Sequence, residues 1–296
     1  MYDVIIIGMG IGGITAGIYG KRAGLNVLMF EKSAPGGMLQ KIDKIQNYPG
    51  FSEISGPDLA LNLFNQVKKV GVPFKFEEVI DVEITEEYKK VITKNGTYEA
   101  KNVIVATGRT PKYLGLDNEK DYLGRGLSTC ASCDGNFYKG EDVAVVGSGN
   151  SALQESLYLA NIVNKVYLLH RGVNFKGDDA LVERVRNTKN IEIVDGLNIK
   201  KINEVEGKIE SVTLDNEKTI NVKGVFIYIG YKPDTEMFKK LDITNINGDI
   251  IVSKNFETEI DGLYAIGDCA KKGVYQLVTA ASDGCIAVSD IEKIRN

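Results

Sequence analysis

The sequence predicts an α/β protein with two Rossmann-like, three-layer nucleotide-binding domains, the second inserted in the first. Residues 3–32 and 141–171 each run as an apolar strand, a glycine turn, a helix with small residues and a second apolar strand. That order is typical of a nucleotide-binding unit. Its recurrence along one chain therefore indicates two domains of the same kind.

The segments after the second strand-helix-strand unit indicate where the domain boundaries lie in the sequence. Short alternating stretches between residues 190 and 233 predict strands with turns between them, and residues 278–294 predict an apolar-periodic helix. The small residues of this helix suit packing against the first glycine-rich unit. We therefore expect a first domain of residues 1–112 and 243–296, interrupted by an inserted domain of residues 113–242.

The composition is that of a soluble globular protein. Of the 296 residues, 43% are hydrophobic and 26% are charged, unlike a disordered, fibrous or membrane-spanning chain. The net charge of −4 disfavours a nucleic-acid surface, because such domains carry a strongly basic face. The first apolar run, residues 4–7, is too short for a bilayer and follows no positive leader. We expect a cytoplasmic protein with no membrane or nucleic-acid partner.

The first glycine turn has the spacing of a dinucleotide site. Gly8, Gly10 and Gly13 form G-x-G-x-x-G directly after a strand, and Glu31 follows Gly13 by eighteen positions. Glycines there let the backbone approach a pyrophosphate at a helix N-terminus, and the carboxylate can accept hydrogen bonds from ribose hydroxyls. A tight turn without a ligand is the alternative.

The second glycine turn lacks a matching acid. Gly147, Gly149 and Ala152 occupy the equivalent places, but the following strand ends at His170 and Arg171. The missing carboxylate disfavours NAD, whereas the planar fork of arginine suits the extra phosphate of NADP. For a histidine at the end of a buried strand, a structural role is the expected one.

A Cys-x-x-Cys pair lies between the two units. Cys130 and Cys133 are followed directly by Asp134. A zinc site would need two more ligands, and Cys269 and Cys285 show no paired spacing, so we expect no metal. The pair is more typical of a dithiol that cycles with a disulfide, with Asp134 as proton donor or acceptor. Two buried cysteines in a turn are the alternative.

Four segments together resemble the low-molecular-weight thioredoxin reductase family, over essentially the whole chain. They are STCASCDG at 128–135, VIVATGR at 103–109, YAIGDCA at 264–270 and YQLVTAASDG at 275–284. The resemblance implies that the first domain holds FAD and that the inserted domain carries the redox cysteines and a nicotinamide site. It further implies that the product is reduced thioredoxin and that the protein is a homodimer.

The resemblance also assigns roles to single residues. Cys133 would face the flavin, Cys130 would attack the thioredoxin disulfide, and Asp134 would be the general acid. The implied FAD contacts are Gly8, Gly10, Gly13, Glu31, Gly37, Leu39, Asn47, Ala106, Thr107, Gly108, Asp268 and Gln276. Asp268 suits a flavin-side hydroxyl, although a helix N-cap would explain the same residue.

The nicotinamide motif departs from the family pattern. Typical members carry His-Arg-Arg-x-x-x-Arg, whereas this chain has HRGVNFK, with Gly172 and Lys176 in place of two arginines. Losing the first arginine removes about 1.5–3 kcal/mol and weakens binding roughly ten- to hundredfold. Asp178 and Asp179 add negative charge that opposes a phosphate if they lie close to it. The altered motif resembles the ferredoxin-dependent flavin thioredoxin reductases and predicts reduced ferredoxin as the electron donor.

Two alternative functions stay open. An NADPH-dependent thioredoxin reductase is favoured by the retained Gly147, Gly149, Ala152 and Arg171. A flavin electron-transfer or sensor protein without dithiol turnover is the other, and the CASCD segment at 130–134 argues against it.

Overall fold

The computed structural model describes residues 1–42 and 44–295. The chain divides into two compact units, which are Met1–Thr110 with Lys232–Asn296, and Pro111–Tyr231. Within the described residues, no helix combines the length and the hydropathy that a membrane crossing requires.

The two unit boundaries differ in how closely they follow the sequence expectation. The first boundary lies after Thr110, close to the expected residue 112. The second boundary lies before Lys232, whereas the sequence predicts it near residue 243. The second boundary is earlier because Phe238 is fully buried in the same hydrophobic cluster of the first unit as Ile250. Residues before 243 therefore already belong to the core of the first unit.

The strands follow one another in chain order as β1 (Tyr2–Ile7), β2 (Val27–Glu31), β3 (Phe74–Phe76), β4 (Val79–Ile84), β5 (Lys89–Thr93), β6 (Gly96–Val105), β7 (Arg109–Pro111), β8 (Leu127–Ser128), β9 (Asp142–Val146), β10 (Lys165–His170), β11 (Ile191–Asp195), β12 (Ile199–Val205), β13 (Lys208–Leu214), β14 (Thr219–Asn221), β15 (Gly224–Ile227), β16 (Tyr231–Pro233) and β17 (Leu263–Ala265). The α-helices are α1 (Ile11–Arg22), α2 (Gly56–Val70), α3 (Ala131–Asp134), α4 (Asn150–Ala160), α5 (Asp179–Arg186) and α6 (Leu277–Arg295). Short 3-10 helices cover Gly37–Lys41, Glu119–Tyr122, Gly135–Tyr138, Glu236–Leu241 and Gly267–Cys269.

The first unit is built on a sheet with the order β3-β2-β1-β6-β5-β4, in which β17 also pairs with β6. Strands β1, β2, β3 and β17 join the sheet in parallel, whereas β4 and β5 are antiparallel additions. All of β2 is buried, as expected for a strand covered on both faces. The register aligns Ile7, Val105 and Ala265, so the segments after β1, β6 and β17 meet at one edge.

The second unit repeats this plan. Its sheet has the order β11-β10-β9-β15-β8, and all of its pairs are parallel. Strands β12, β13 and β14 form a separate antiparallel sheet. The strand-helix-strand units β1-α1-β2 and β9-α4-β10 therefore fall where the sequence predicts them, and the predicted fold class of two Rossmann-like domains is confirmed.

Candidate functional site

The first glycine turn joins β1 to α1 at the edge where three strands end. Gly8 has φ 106°, and a Cβ at this position would collide with the Ala106 carbonyl oxygen. A Cβ at Gly13 would collide with the Gly8 carbonyl, so the helix and the turn are packed backbone to backbone. Gly10 faces open space, because an added Cβ would have no described atom within 4 Å apart from its own chain neighbours. The turn is thus closed toward the protein and open where a phosphate would bind.

Glu31 ends β2 and holds the glycine turn in place. Its side chain is largely buried, and Oε2 accepts the Met9 N–H at 2.8 Å. Oε1 accepts the Ser33 N–H at 2.9 Å. Oε1 also accepts the Ser33 hydroxyl at 3.2 Å, so the second lone pair of Oε2 is the acceptor that remains for a ribose hydroxyl.

Four further predicted contact residues, Gly37, Leu39, Asn47 and Gln276, lie in the same unit. Gly37 begins a 3-10 helix, and a Cβ on it would lie 3.7 Å from Gly10 Cα. Leu39, in the same helix, is buried. Asn47 Nδ2 donates to Gln276 Oε1 at 3.1 Å, which joins the start of the chain to the segment before α6. Gly37 therefore lies at the glycine turn, and Asn47 and Gln276 lie next to each other.

The segment after β6 forms the other side of the turn. The Ala106 N–H donates to the Ile7 carbonyl at 2.8 Å. Thr107 Oγ1 is buried close to the Cys269 thiol and has no partner in hydrogen-bonding geometry among the described residues. An added Cβ at Gly108 would meet open space. Gly108 therefore lies at the open face of the turn, whereas the Thr107 hydroxyl lies in the protein interior beside Cys269.

Asp268 lies at the same edge, in the 3-10 helix after β17. Burial raises the pKa of Asp268 above its ordinary value, and the charges of Lys272 and Arg109 oppose that shift. The N-cap alternative for Asp268 finds no support, because the residue lies inside the 3-10 turn and α6 begins only at Leu277.

Three polar residues that the sequence analysis did not single out hold the Asp268 turn. Asp283 Oδ2 accepts the Gly267 N–H at 2.9 Å and a proton of Lys272 Nζ at 2.6 Å. Arg109 Nε donates to the Asp268 carbonyl at 3.0 Å. Arg109 was visible as the last residue of VIVATGR, but its partner is set only by the fold.

All of the implied FAD contacts lie in the first unit. The open glycine turn and the carboxylate of Glu31 fit the pyrophosphate and ribose groups of FAD. The residues present are therefore suited to this cofactor.

The cysteine pair of the second unit forms a disulfide. Cys130 is bonded to Cys133; Cys130 is half-buried at the start of α3, and Cys133 is exposed. Ser128 Oγ donates to Asp134 Oδ2 at 2.6 Å and accepts the Cys130 N–H at 3.0 Å. The alternative of two buried thiols does not fit this geometry. Among the described residues, no group of three or more acidic, histidine or cysteine side chains is arranged to hold a metal.

Ser128 is a member of this site that the sequence analysis missed. It stands two positions before Cys130, a spacing at which serine hydroxyls accept backbone N–H groups in turns. That spacing was the available signal. A second missed contact comes from far along the chain, where Tyr228 Oη accepts the Ala131 N–H at 2.7 Å.

The second glycine turn has the same shape as the first. Gly147 has φ 154°, and a Cβ on it would collide with the Tyr228 carbonyl oxygen. An added Cβ at Gly149 would meet nothing within 4 Å. Ala152 is fully buried in the first turn of α4. A dinucleotide cradle is therefore present in this unit as well.

His170 has the structural role that the sequence predicts. Its ring is buried, and Nε2 lies 2.5 Å from Asp195 Oδ1. Phe175 packs on the ring with centroids 4.2 Å apart. The neighbouring Arg171 is exposed.

The loop after β10 lies on the second glycine turn. The Lys176 N–H donates to the Ser148 carbonyl at 2.8 Å. Asn150, the first residue of α4, donates to Asp178 Oδ2 at 3.0 Å and accepts the Asp178 N–H at 2.7 Å. The Asp178 carboxylate thus lies beside the turn, as the sequence analysis considered, whereas Asp179 begins α5.

Comparison with known proteins identifies the family. Residues 2–284 match the model of the family described as pyridine nucleotide-disulphide oxidoreductase. The chain is 39% identical over 297 residues to a thioredoxin reductase of Bacillus subtilis, covering 99% of this chain and 94% of that protein.

Two solved structures bear on the type within the family. Thioredoxin reductase of Lactococcus lactis matches with a TM-score of 0.87 and 33% identity, covering 99% of this chain and 98% of that one. A ferredoxin-flavin thioredoxin reductase from Clostridium acetobutylicum matches with a TM-score of 0.56 and 30% identity, at 99% and 98% coverage. The prediction of FAD is confirmed, and this chain is an FAD-binding member of the pyridine nucleotide-disulphide oxidoreductase family, of the low-molecular-weight thioredoxin reductase type.

Proposed function

We propose that the protein reduces thioredoxin with electrons from NADPH, through FAD and the Cys130–Cys133 disulfide. The observation that carries the proposal is this disulfide, in which Cys133 is exposed and Cys130 half-buried, with the carboxyl group of Asp134 next in the sequence. It belongs to a chain whose other unit is suited to FAD. The thioredoxin reductases named above support thioredoxin as the substrate.

The chemistry of the dithiol balances in three steps. Once reduced by the donor, bound FAD would supply an electron pair, and the Cys130–Cys133 disulfide takes up this pair and two protons to become two thiols. The Cys130 thiolate then attacks one sulfur of the thioredoxin disulfide, so that a mixed disulfide forms and the thioredoxin S–S bond breaks. Cys133 next attacks Cys130 Sγ, which restores the disulfide and releases reduced thioredoxin. We assign the proton exchange with the thiols to Asp134, whose carboxylate accepts a hydrogen bond from Ser128 Oγ.

The proposed donor is NADPH rather than the ferredoxin that the altered motif predicts. The second glycine turn keeps its open face at Gly149, and Arg171 is exposed for a phosphate. The family match and the Bacillus subtilis relative also favour the nicotinamide-dependent type. The identity to the ferredoxin-flavin enzyme is also lower than that to the Bacillus subtilis relative, 30% against 39%. The ferredoxin prediction is therefore not confirmed.

Ferredoxin is retained as the second candidate donor because of one contact. The Asp178 carboxylate lies beside the start of α4 through its hydrogen bond with Asn150, where its charge opposes a phosphate. Gly172 and Lys176 leave Arg171 as the one arginine of the motif.

The test is an anaerobic titration of the oxidised protein with NADPH and, separately, with chemically reduced ferredoxin. Flavin absorbance is followed first and thioredoxin thiols second. Bleaching by NADPH with repeated turnover is the expected result, and bleaching by ferredoxin alone would move the assignment to the second candidate. Reduced flavin without any new thioredoxin thiol would overturn the reductase function in favour of a flavin electron-transfer or sensor protein.

Cysteine variants separate the relay from the flavin. Cys130→Ser and Cys133→Ser should each abolish thioredoxin reduction and keep FAD bound, because the relay needs both sulfurs. Cys285→Ser is the matched control, since this cysteine is free and lies in the first unit.

A further inference from the structure

The backbone between the two redox cysteines is hydrogen-bonded to a side chain from a distant part of the sequence. Ala131 is fully buried, and its N–H donates to Tyr228 Oη at 2.7 Å. Tyr228 directly follows β15. The preceding N–H, that of Cys130, is accepted by Ser128. Side chains therefore accept both of the first N–H groups of the redox segment.

These acceptors matter because α3 is a single turn. The first N–H groups of a helix have no partner within it, and α3 spans only Ala131–Asp134. Within this turn, the Asp134 N–H donates to the Cys130 carbonyl at 3.1 Å. Without Tyr228 Oη, the Ala131 N–H would be buried and unpaired, which is costly.

The Tyr228 side chain stays protonated, as a hydrogen-bond acceptor of constant charge should. Burial, with the negative charges of Glu155 and Asp134, raises the pKa of Tyr228 well above its ordinary value. The ring therefore stays a neutral phenol through the range in which a reductase is assayed, and its lone pair stays available to the Ala131 N–H.

We propose that Tyr228 is a positioning residue that stabilises the disulfide form of the Cys130–Cys133 pair relative to the dithiol form. In the disulfide the backbone of residues 130–133 is fixed, and the buried Ala131 N–H depends on Tyr228 Oη. In the dithiol the covalent link is gone, and the segment can relax so that the N–H meets water. Removing the hydroxyl therefore penalises the disulfide more than the dithiol. The inference rests on the proposed function only in naming these cysteines as the redox pair.

Tyr228→Phe removes the hydroxyl and keeps the ring. Tyr231→Phe is the matched control, because Tyr231 is also half-buried near the charge of Glu155, and no hydrogen bond joins its side chain to α3 in the described part of the chain. The holoenzymes are equilibrated with reduced and oxidised dithiothreitol, so that protein disulfide and reagent dithiol exchange for protein dithiol and reagent disulfide. Alkylation and mass spectrometry then count thiols on the Cys130–Cys133 peptide.

The expected result is a shift of about tenfold toward the dithiol in Tyr228→Phe, equivalent to about 30 mV, with less than a twofold change in Tyr231→Phe. Equal shifts in both variants, or none in Tyr228→Phe, would overturn the proposal. No donor and no thioredoxin enter this measurement, so its failure is distinct from failure of the proposed function.

A second measurement needs no variant. In protein labelled with ¹⁵N-alanine, the Ala131 amide should exchange with solvent slowly in the oxidised protein and at least about tenfold faster after reduction. Equal exchange in the two states would contradict the differential role of Tyr228, whatever the stability of the variants.

Discussion

The two glycine turns share a backbone and differ in what holds it. Gly8 and Gly147 each lie where a Cβ would collide with a carbonyl oxygen that follows the neighbouring strand. In the first unit Glu31 accepts the Met9 N–H of the turn. In the second unit the loop after β10 stabilises the turn, because the Lys176 N–H donates a hydrogen bond to the Ser148 carbonyl. One fold thus supports its cradle in two ways, and the residues after the second strand decide which ligand it suits.

The largest expected effects separate the two turns. Gly8→Ala should lower the FAD content of the purified protein at least about tenfold, because the residue needs a positive φ and meets the Ala106 carbonyl. Gly147→Ala should keep FAD and lose bleaching by NADPH. The ratio of flavin to protein absorbance and an anaerobic titration measure the two outcomes. FAD loss in Gly147→Ala would show that the turns are not independent.

A smaller effect is expected from the acid that only the first turn possesses. Glu31→Gln replaces one carboxylate oxygen with an amide donor, so either Met9 or Ser33 loses its acceptor. The dissociation constant for FAD should rise about tenfold, measured by reconstitution of the apoprotein with flavin fluorescence as the signal. Glu53→Gln, at an exposed carboxylate of the same unit, should leave the constant unchanged.

A substitution in the loop after β10, beside the second glycine turn, is expected to strengthen binding rather than weaken it. Asp178→Asn removes a charge and keeps groups that can pair with Asn150, so NADPH should bind about threefold more tightly at low salt, with a smaller gain at high salt. Asp179→Asn is the control. Binding is measured by flavin bleaching against NADPH concentration. An equal gain in both variants would assign the effect to net charge rather than to the position beside α4.

The smallest effect concerns the carboxyl group buried at the edge of the first sheet. Burial raises the pKa of Asp268, so the folded apoprotein binds this proton more tightly than the unfolded chain. Its contribution to stability is therefore present below the ordinary pKa of aspartate and is lost as the pH rises through the folded pKa. Asp268→Asn should raise the Tm of the apoprotein at pH 7 by about 1 °C, and calorimetry at pH 4 should find a smaller difference.

The local signals of the sequence were sufficient for the fold and for the strand-helix-strand unit that holds four of the predicted FAD contacts. A glycine spacing, an apolar run of strand length and an acid at a strand end each report on a short stretch of sequence. Gly8, Gly10, Gly13 and Glu31 all lie in one such unit. Their placement could therefore be predicted without knowing any tertiary contact.

Contacts between distant segments could not be predicted in this way. Tyr228 meets Ala131 across 97 positions, and Asp283 meets Gly267 across 16. A tyrosine after a buried strand has no pattern that points to one amide among many. The position of Asp178 is a similar case, because its charge was visible in the sequence but its pairing with Asn150 depends on how the loop folds back.

The packing of α6 against α1 sets an order of events during synthesis. A Cβ at Gly284 would collide with the Gly12 carbonyl, so the two helices pack with their backbones in close approach. At ribosomal rates, the residues between α1 and α6 take roughly 15–50 s to make. The inserted unit leaves the ribosome in that interval and can fold on its own contacts, whereas α1 has no α6 to cover it. Flavin uptake is therefore expected only after the ribosome has released α6, and a nascent chain stalled before Leu277 should contain the disulfide unit but remain colourless.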